Sequence, residues 1–186
     1  TTGEPILNQK VGDNGNTQIS YASKFSHNNE KATAGYYAVK LDDYNIDVEL
    51  TATERVGFHK YKFPEKKGNV IVDLTHRDDV LDSYIKIVSD NEIEGFRRSK
   101  SWASDQYIYF VAKFSESFSN YGISANGVVN TSIDNFRGND IKAYFSFEKI
   151  KKPLTVSVAI SAVSTENARE NMVFENNFDE ALKYTQ

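Results

Sequence analysis

The chain has 186 residues, a net charge of −4 and a pI near 5.4, with 39% hydrophobic and 26% charged residues. That balance excludes a disordered chain, and the acidic surplus lacks the basic footprint of a nucleic-acid binder. Cysteine is absent, which excludes disulfides and thiolate metal sites, and no apolar run of about 18 residues marks a membrane-spanning helix.

Residues 1–16 are polar, rich in Gly and Asn, and read as a loop. Alternation then begins. In Thr17 to Phe25, Ile19, Tyr21 and Phe25 recur on one face, as in a strand with one buried side. The same period predicts strands over 36–41, 46–53, 55–63, 69–74, 82–89, 91–98, 106–114, 142–148 and 154–162. Turn residues separate them, and Ser89-Asp90-Asn91 reads as a tight hairpin. Many short strands with turns between them, and no long helical pattern between strands, predict an all-β fold, an antiparallel β-sandwich. Near the C-terminus the pattern changes. Thr165 to Met172 holds helix formers, and Asn177 caps a second helix with Phe178, Ala181 and Leu182 on one face. That helix has only about two turns, too few to stand alone, so the natural chain is expected to continue.

Motifs with local chemistry are few. No nucleophile elbow, phosphate loop, paired metal-binding histidines or calcium loop occurs. His27, His59 and His76 are dispersed. Asp73, His76, Arg77, Asp78 and Asp79 form a polar patch that suits acid/base work or calcium, but equally a loop of Asx turns and capping acids, which is the reading favoured. The one tryptophan, Trp102, follows Arg97-Arg98-Ser99-Lys100 and precedes Asp105-Gln106. A sugar site requires such a flat ring beside planar polar groups. A buried core tryptophan with a satisfied indole N–H fits the same residues and is the reading favoured. His27-Asn28-Asn29-Glu30 reads as a polar surface loop.

One family joins these pieces. The stretches Lys24 to Glu30, Ala34-Gly35-Tyr36-Tyr37-Ala38-Val39, Glu49 to Gly57, Asp73 to Asp78 and Gly95 to Ala103, in that order, resemble the N-terminal region of glycoside hydrolase family 92 α-mannosidases, numerous in gut Bacteroides. The likeness runs over roughly residues 17–185. It implies a sandwich of the supersandwich type, then a helical linker and an (α/α)6 barrel. It also implies exo-acting, calcium-dependent hydrolysis of α-mannoside glycans with inversion, in a periplasmic or cell-surface enzyme. The family's acid, base and calcium ligands lie in the barrel, so this chain is expected to carry no catalytic residue and no metal of its own, and to be inactive alone. The expected division is a loop over 1–16, the sandwich over 17–163 and the start of the linker over 164–186. An upstream run of the Ser-His-Thr-His type, usual in the family, is not found. His27, Glu30, Arg97, Arg98 and Trp102 are the candidates for substrate contact or domain interface. Two other readings stand beside this one: a free-standing carbohydrate-binding module, and a structural sandwich with an apolar protein-contact face. Linkage specificity is not encoded in these residues.

Overall fold

The structure, a computed structural model, describes residues 1–11, 17–173 and 177–185. In chain order its strands are β1 (Gln9–Val11), β2 (Thr17–Ile19), β3 (Glu30–Thr33), β4 (Tyr36–Leu41), β5 (Ile46–Ala52), β6 (Val56–Lys62), β7 (Gly68–Asp73) and β8 (Asp79–Ser89). There follow β9 (Glu92–Lys100), β10 (Gln106–Phe114), β11 (Asn120–Ala125), β12 (Val128–Asn130), β13 (Asn135–Gly138), β14 (Ile141–Phe147) and β15 (Leu154–Ser161). Two helices end the chain, α1 (Thr165–Val173) and α2 (Phe178–Thr185).

The alternation seen in the sequence becomes an antiparallel sandwich. Nine strands form the large sheet in the order β13-β8-β9-β10-β15-β6-β5-β4-β3, and four form the small sheet in the order β12-β11-β14-β7. β1 and β2 make a separate pair. Within the large sheet β3 to β6 is one meander and β8 to β10 is another, and β15 joins them by pairing with β10 on one side and β6 on the other.

Period two sorts each strand into two faces. On β10, Phe110, Ala112 and Phe114 point between the sheets, while Val111 points out. The inner cluster draws Ile46 from β5, Ile93 from β9 and Phe145 and Phe147 from β14, each no more than 2% exposed. Phe114 stands 5.4 Å from Phe145 and 5.5 Å from Phe147 in tilted contacts. The outer cluster joins Val56, Phe58, Val111 and Ala159 of the large sheet to Ala168 and Met172 of α1 and Phe178 and Ala181 of α2. The helices are therefore fixed by packing on the sheet, which supplies what their length does not. Arg169 of α1 fastens this cover by pairing with Glu92 and Glu94 of β9.

Several elements differ from expectation. Strand structure in the Thr17–Phe25 stretch ends at Ile19; Ser20 and Tyr21 turn, and Tyr21 donates its hydroxyl to Asp73. The polar loop expected at His27–Glu30 is a single 3₁₀ turn, His27–Asn29, leading into edge strand β3. The segment 115–140, left without strands, forms β11, β12 and β13. These are short and rich in Asn, Ser and Gly, so pairing with β14 and β8 makes them, not propensity. In the 1–16 loop, Leu7 is buried and residues 9–11 pair with β2, whereas residues 12–16 lie outside the described residues.

His59 and Tyr61 lie on the inward face of β6, with His59 Nδ1 2.9 Å from the Tyr61 hydroxyl. Burial pushes the Tyr61 phenol up to about 12 and moves the His59 imidazole below its ordinary range. A histidine lowered by folding binds its proton more readily when unfolded. Its contribution is intact above the unfolded value of about 6.5 and is lost as pH falls below it. Thermal unfolding is expected to show a melting temperature that drops between neutral and mildly acidic pH, and His59→Gln is expected to flatten that drop.

Candidate functional site

β9 carries Arg97 and Arg98 side by side, so the pleat sends them to opposite faces. Arg97 is directed inward and serves the β7–β8 loop. Its Nε donates to the Leu74 carbonyl at 2.9 Å, and its Nη2 donates to the carbonyls of His76 at 3.0 Å and Asp78 at 3.1 Å. Nη1 reaches Ser99 Oγ at 3.2 Å. A planar fork spent on three carbonyls holds a loop in shape. The acids of the neighbouring patch are used in the same way. Asp73 accepts from Thr75 N at 2.7 Å and Thr75 Oγ1 at 2.6 Å, an Asx turn. Asp78 and Asp79 pair with Arg97 and Lys100.

Arg98 points outward and closes the β9–β10 loop at its base. Its Nε donates to Asp105 Oδ1 at 2.8 Å and its Nη2 to Asp105 Oδ2 at 2.7 Å, a bidentate pair. The hydrogen bond from Arg98 holds the Asp105 carboxyl below its ordinary range. Between these two residues the loop lifts Trp102 fully into solvent, at 101% relative exposure. A large apolar ring in that position has no part in the core. The core-tryptophan alternative therefore falls, and the ring is available to a partner surface or ligand.

His27 and Glu30 stand elsewhere. His27 Nδ1 lies 2.5 Å from Glu30 Oε2, and the Tyr37 hydroxyl donates to Glu30 Oε1 at 2.7 Å. His27, then Tyr37, hold the Glu30 carboxyl below its ordinary range. Phe25, half exposed, meets the His27 ring edge-on at 5.7 Å. Glu30 begins β3, six strands along the large sheet from β9. At about 4.8 Å per strand that is roughly 29 Å. Arg98 thus closes the loop that carries Trp102, while His27 and Glu30 form a separate pair, His27 exposed and Glu30 partly buried.

Residues 1–161 match the model of the glycosyl hydrolase family 92 N-terminal domain. The chain belongs to that family. Among solved structures it is similar to the family 92 α-mannosidase BT3965 from Bacteroides thetaiotaomicron in complex with mannoimidazole. That similarity has 30% identity and a TM-score of 0.84 over 99% of this chain and 26% of the other. It is also similar to the family 92 inverting mannosidase BT2199 from Bacteroides thetaiotaomicron, at 25% identity and a TM-score of 0.76 over 88% of this chain and 22% of the other. A third structure, the family 92 glycosyl hydrolase ccman5, shares the fold at 22% identity and a TM-score of 0.80, over 88% of this chain and 24% of the other. No curated protein sequence matches. The chain thus spans about a quarter of the length of these relatives.

Among the described residues no three His, Asp or Glu side chains come together as a metal site.

Arg97 and Trp102 make contrasting predictions. Arg97→Ala is expected to cost about 2–3 kcal/mol in urea unfolding, because three carbonyls lose a charged donor. Arg97→Lys is expected to recover little of this, since a point donor does not span them. Trp102→Ala is expected to change stability by less than about 0.5 kcal/mol. Emission from the single tryptophan is expected to be that of a solvated indole, open to ionic quenchers; a blue-shifted, unquenched band would contradict its exposure.

Proposed function

We propose that the chain is the sandwich portion of a calcium-dependent, inverting exo-α-mannosidase that trims mannose from glycans, and that it is not catalytic alone. The observation that carries this reading is Trp102, fully exposed on a loop closed by the Arg98–Asp105 fork, in a domain of family 92. An exposed ring beside planar donors and acceptors suits a pyranose, whose C–H face packs on the ring while its hydroxyls meet the polar groups. On this reading the Trp102 loop is one wall of a pocket, and Arg97 shapes that wall indirectly by holding the neighbouring loop. His27 and Glu30 would act at a different boundary, as a domain-interface dyad.

Inversion requires one carboxylic acid to protonate the leaving oxygen and one carboxylate to activate water on the opposite face. A general acid must retain its proton near neutral pH. Asp105, the carboxyl beside Trp102, is pushed the other way by Arg98. The resemblance to family 92 implies that the reacting carboxyl groups and the calcium ligands belong to a further part of the parent polypeptide, an (α/α)6 barrel. Sites between two rigid bodies are a common way to enclose a small ligand. The same resemblance implies a parent enzyme in the periplasm or at the cell surface.

The exposure of Trp102 also favours a second reading, a free-standing carbohydrate-binding module. Incubation of the 186-residue chain with α-mannobiose and calcium is expected to yield no mannose above a boiled control. Turnover would overturn the scaffold reading. Calorimetric titration with the monosaccharide separates the two readings, since half a pocket is expected to bind free mannose too weakly to register, whereas a module is expected to give a saturable isotherm with the single sugar.

A further inference from the structure

The outer face of the large sheet is covered only in part. α1 lies over β15 and β10 and reaches β9 at Glu92 and Glu94 through Arg169. One residue pair further along β9, the cover stops. There the register aligns Arg137, Tyr84, Phe96 and Tyr109 across β13, β8, β9 and β10. The next row aligns Asp82, Arg98 and Tyr107. All seven belong to the same face, because each is an even number of residues from Glu94 or Val111 on its own strand, or lies opposite a residue that is.

These side chains form one continuous strip. Tyr84 stacks on Phe96 at 6.2 Å, Phe96 meets Tyr109 at 5.7 Å, and Tyr107 stacks on Tyr109 at 5.9 Å with rings 13° apart. Arg98 lies 5.2 Å from the Tyr107 ring centre and Arg137 lies 5.5 Å from that of Phe96. Each arginine is also held flat by a carboxylate. Arg137 donates from Nε and from Nη2, at 3.0 and 2.6 Å, to Asp82 Oδ2, as Arg98 does to Asp105. Tyr107 and Arg137 are exposed, and the Tyr107 and Tyr109 hydroxyls have no partner among the described residues.

We propose that this strip binds a neutral, extended glycan, holding the part of a saccharide chain that trails away from Trp102. Three observations select that ligand. Both cations are neutralised within the strip, so it offers no net charge to a phosphate or a polyanion. Its rings present faces interleaved with planar ion pairs, which gives C–H surfaces a place to stack and hydroxyls both donors and acceptors. Each arginine spends Nε and Nη2 on its carboxylate, which leaves Nη1 for a ligand oxygen. The strip continues the Trp102 loop, since Arg98 belongs to both. The choice of mannoside as the saccharide rests on the mannosidase reading; the glycan strip itself does not.

The test is titration of the 186-residue chain with α-mannobiose, longer linear α-mannooligosaccharides, xylo-oligosaccharides and heparin, followed by calorimetry and by ligand-induced shifts of the tyrosine ring resonances. Affinity is expected to rise with mannoside length, to fall about tenfold in Tyr107→Ala and to be largely kept in Tyr107→Phe, with the thermal melt of each variant as the folding control. The shifts in the unsubstituted chain give the same answer if a variant does not fold. Preference for heparin, absence of binding to every neutral glycan, or an affinity unchanged by Tyr107→Ala but abolished by Trp102→Ala would overturn the strip. Binding of xylo-oligosaccharides in place of mannosides would support the strip and remove the mannosidase reading. Mannoside turnover by a parent enzyme whose sandwich binds no glycan would remove the strip alone.

Discussion

A nine-stranded sheet has two apolar faces, and both must be shielded from water. This requirement organises the molecule. The small sheet covers the inner face with Phe145 and Phe147. Two helices cover part of the outer face, and Arg169 binds that cover to Glu92 and Glu94. Beyond that cover the same face carries Tyr84, Phe96, Tyr107 and Tyr109, beside the loop that holds Trp102.

The charged groups follow a consistent logic. Arg97 serves carbonyls, and Arg98, Arg137 and Arg169 each serve carboxylates. Exposed pairs of this kind add little to stability. Their effect is geometric: a guanidinium that donates twice to carboxylate acceptors is fixed in direction. Glu30 beside His27 and Tyr37 is organised in the same way at the other end of the sheet.

How far the sequence revealed this depends on the distance over which each feature is encoded. β4, β5, β6, β10 and β14 were legible because Ile46, Val48 and Leu50, for example, alternate with acids over one strand. The Ser89 to Asn91 hairpin was legible too, with Ser89 opposite Glu92. The Asn126-Gly127 turn, with φ of 51° and 80°, is also a local hairpin signal, but the strand it leads into, β12, has only three residues, all exposed, and no alternation of its own. β3 exists only because β4 pairs with it.

The site divided along the same line. Alternation alone says that Arg97 and Arg98 face opposite ways, but not which of them faces water; that depends on what β8 and β10 bring alongside. Trp102 was misleading because the sequence favours a core ring over a ligand-facing one, and only its exposed place on a stapled loop removes the core reading. Tyr84, Phe96, Tyr107 and Tyr109 gave no signal at all. Each reads as an ordinary strand aromatic, and they become a surface only through cross-strand register.

The position of β15 has a consequence for how the domain is born. It is the last strand in the chain, yet it sits at the centre of the large sheet. Until Leu154 to Ser161 leave the ribosome, the two meanders have naked inner edges, β6 and β10, with unpaired backbone groups and no helix to cover them. Non-local closure of this kind is slow, and edges left waiting invite wrong partners. Synthesis of this sandwich is therefore a race between a late keystone and two sticky half-sheets, which gives chaperones a defined interval in which to act.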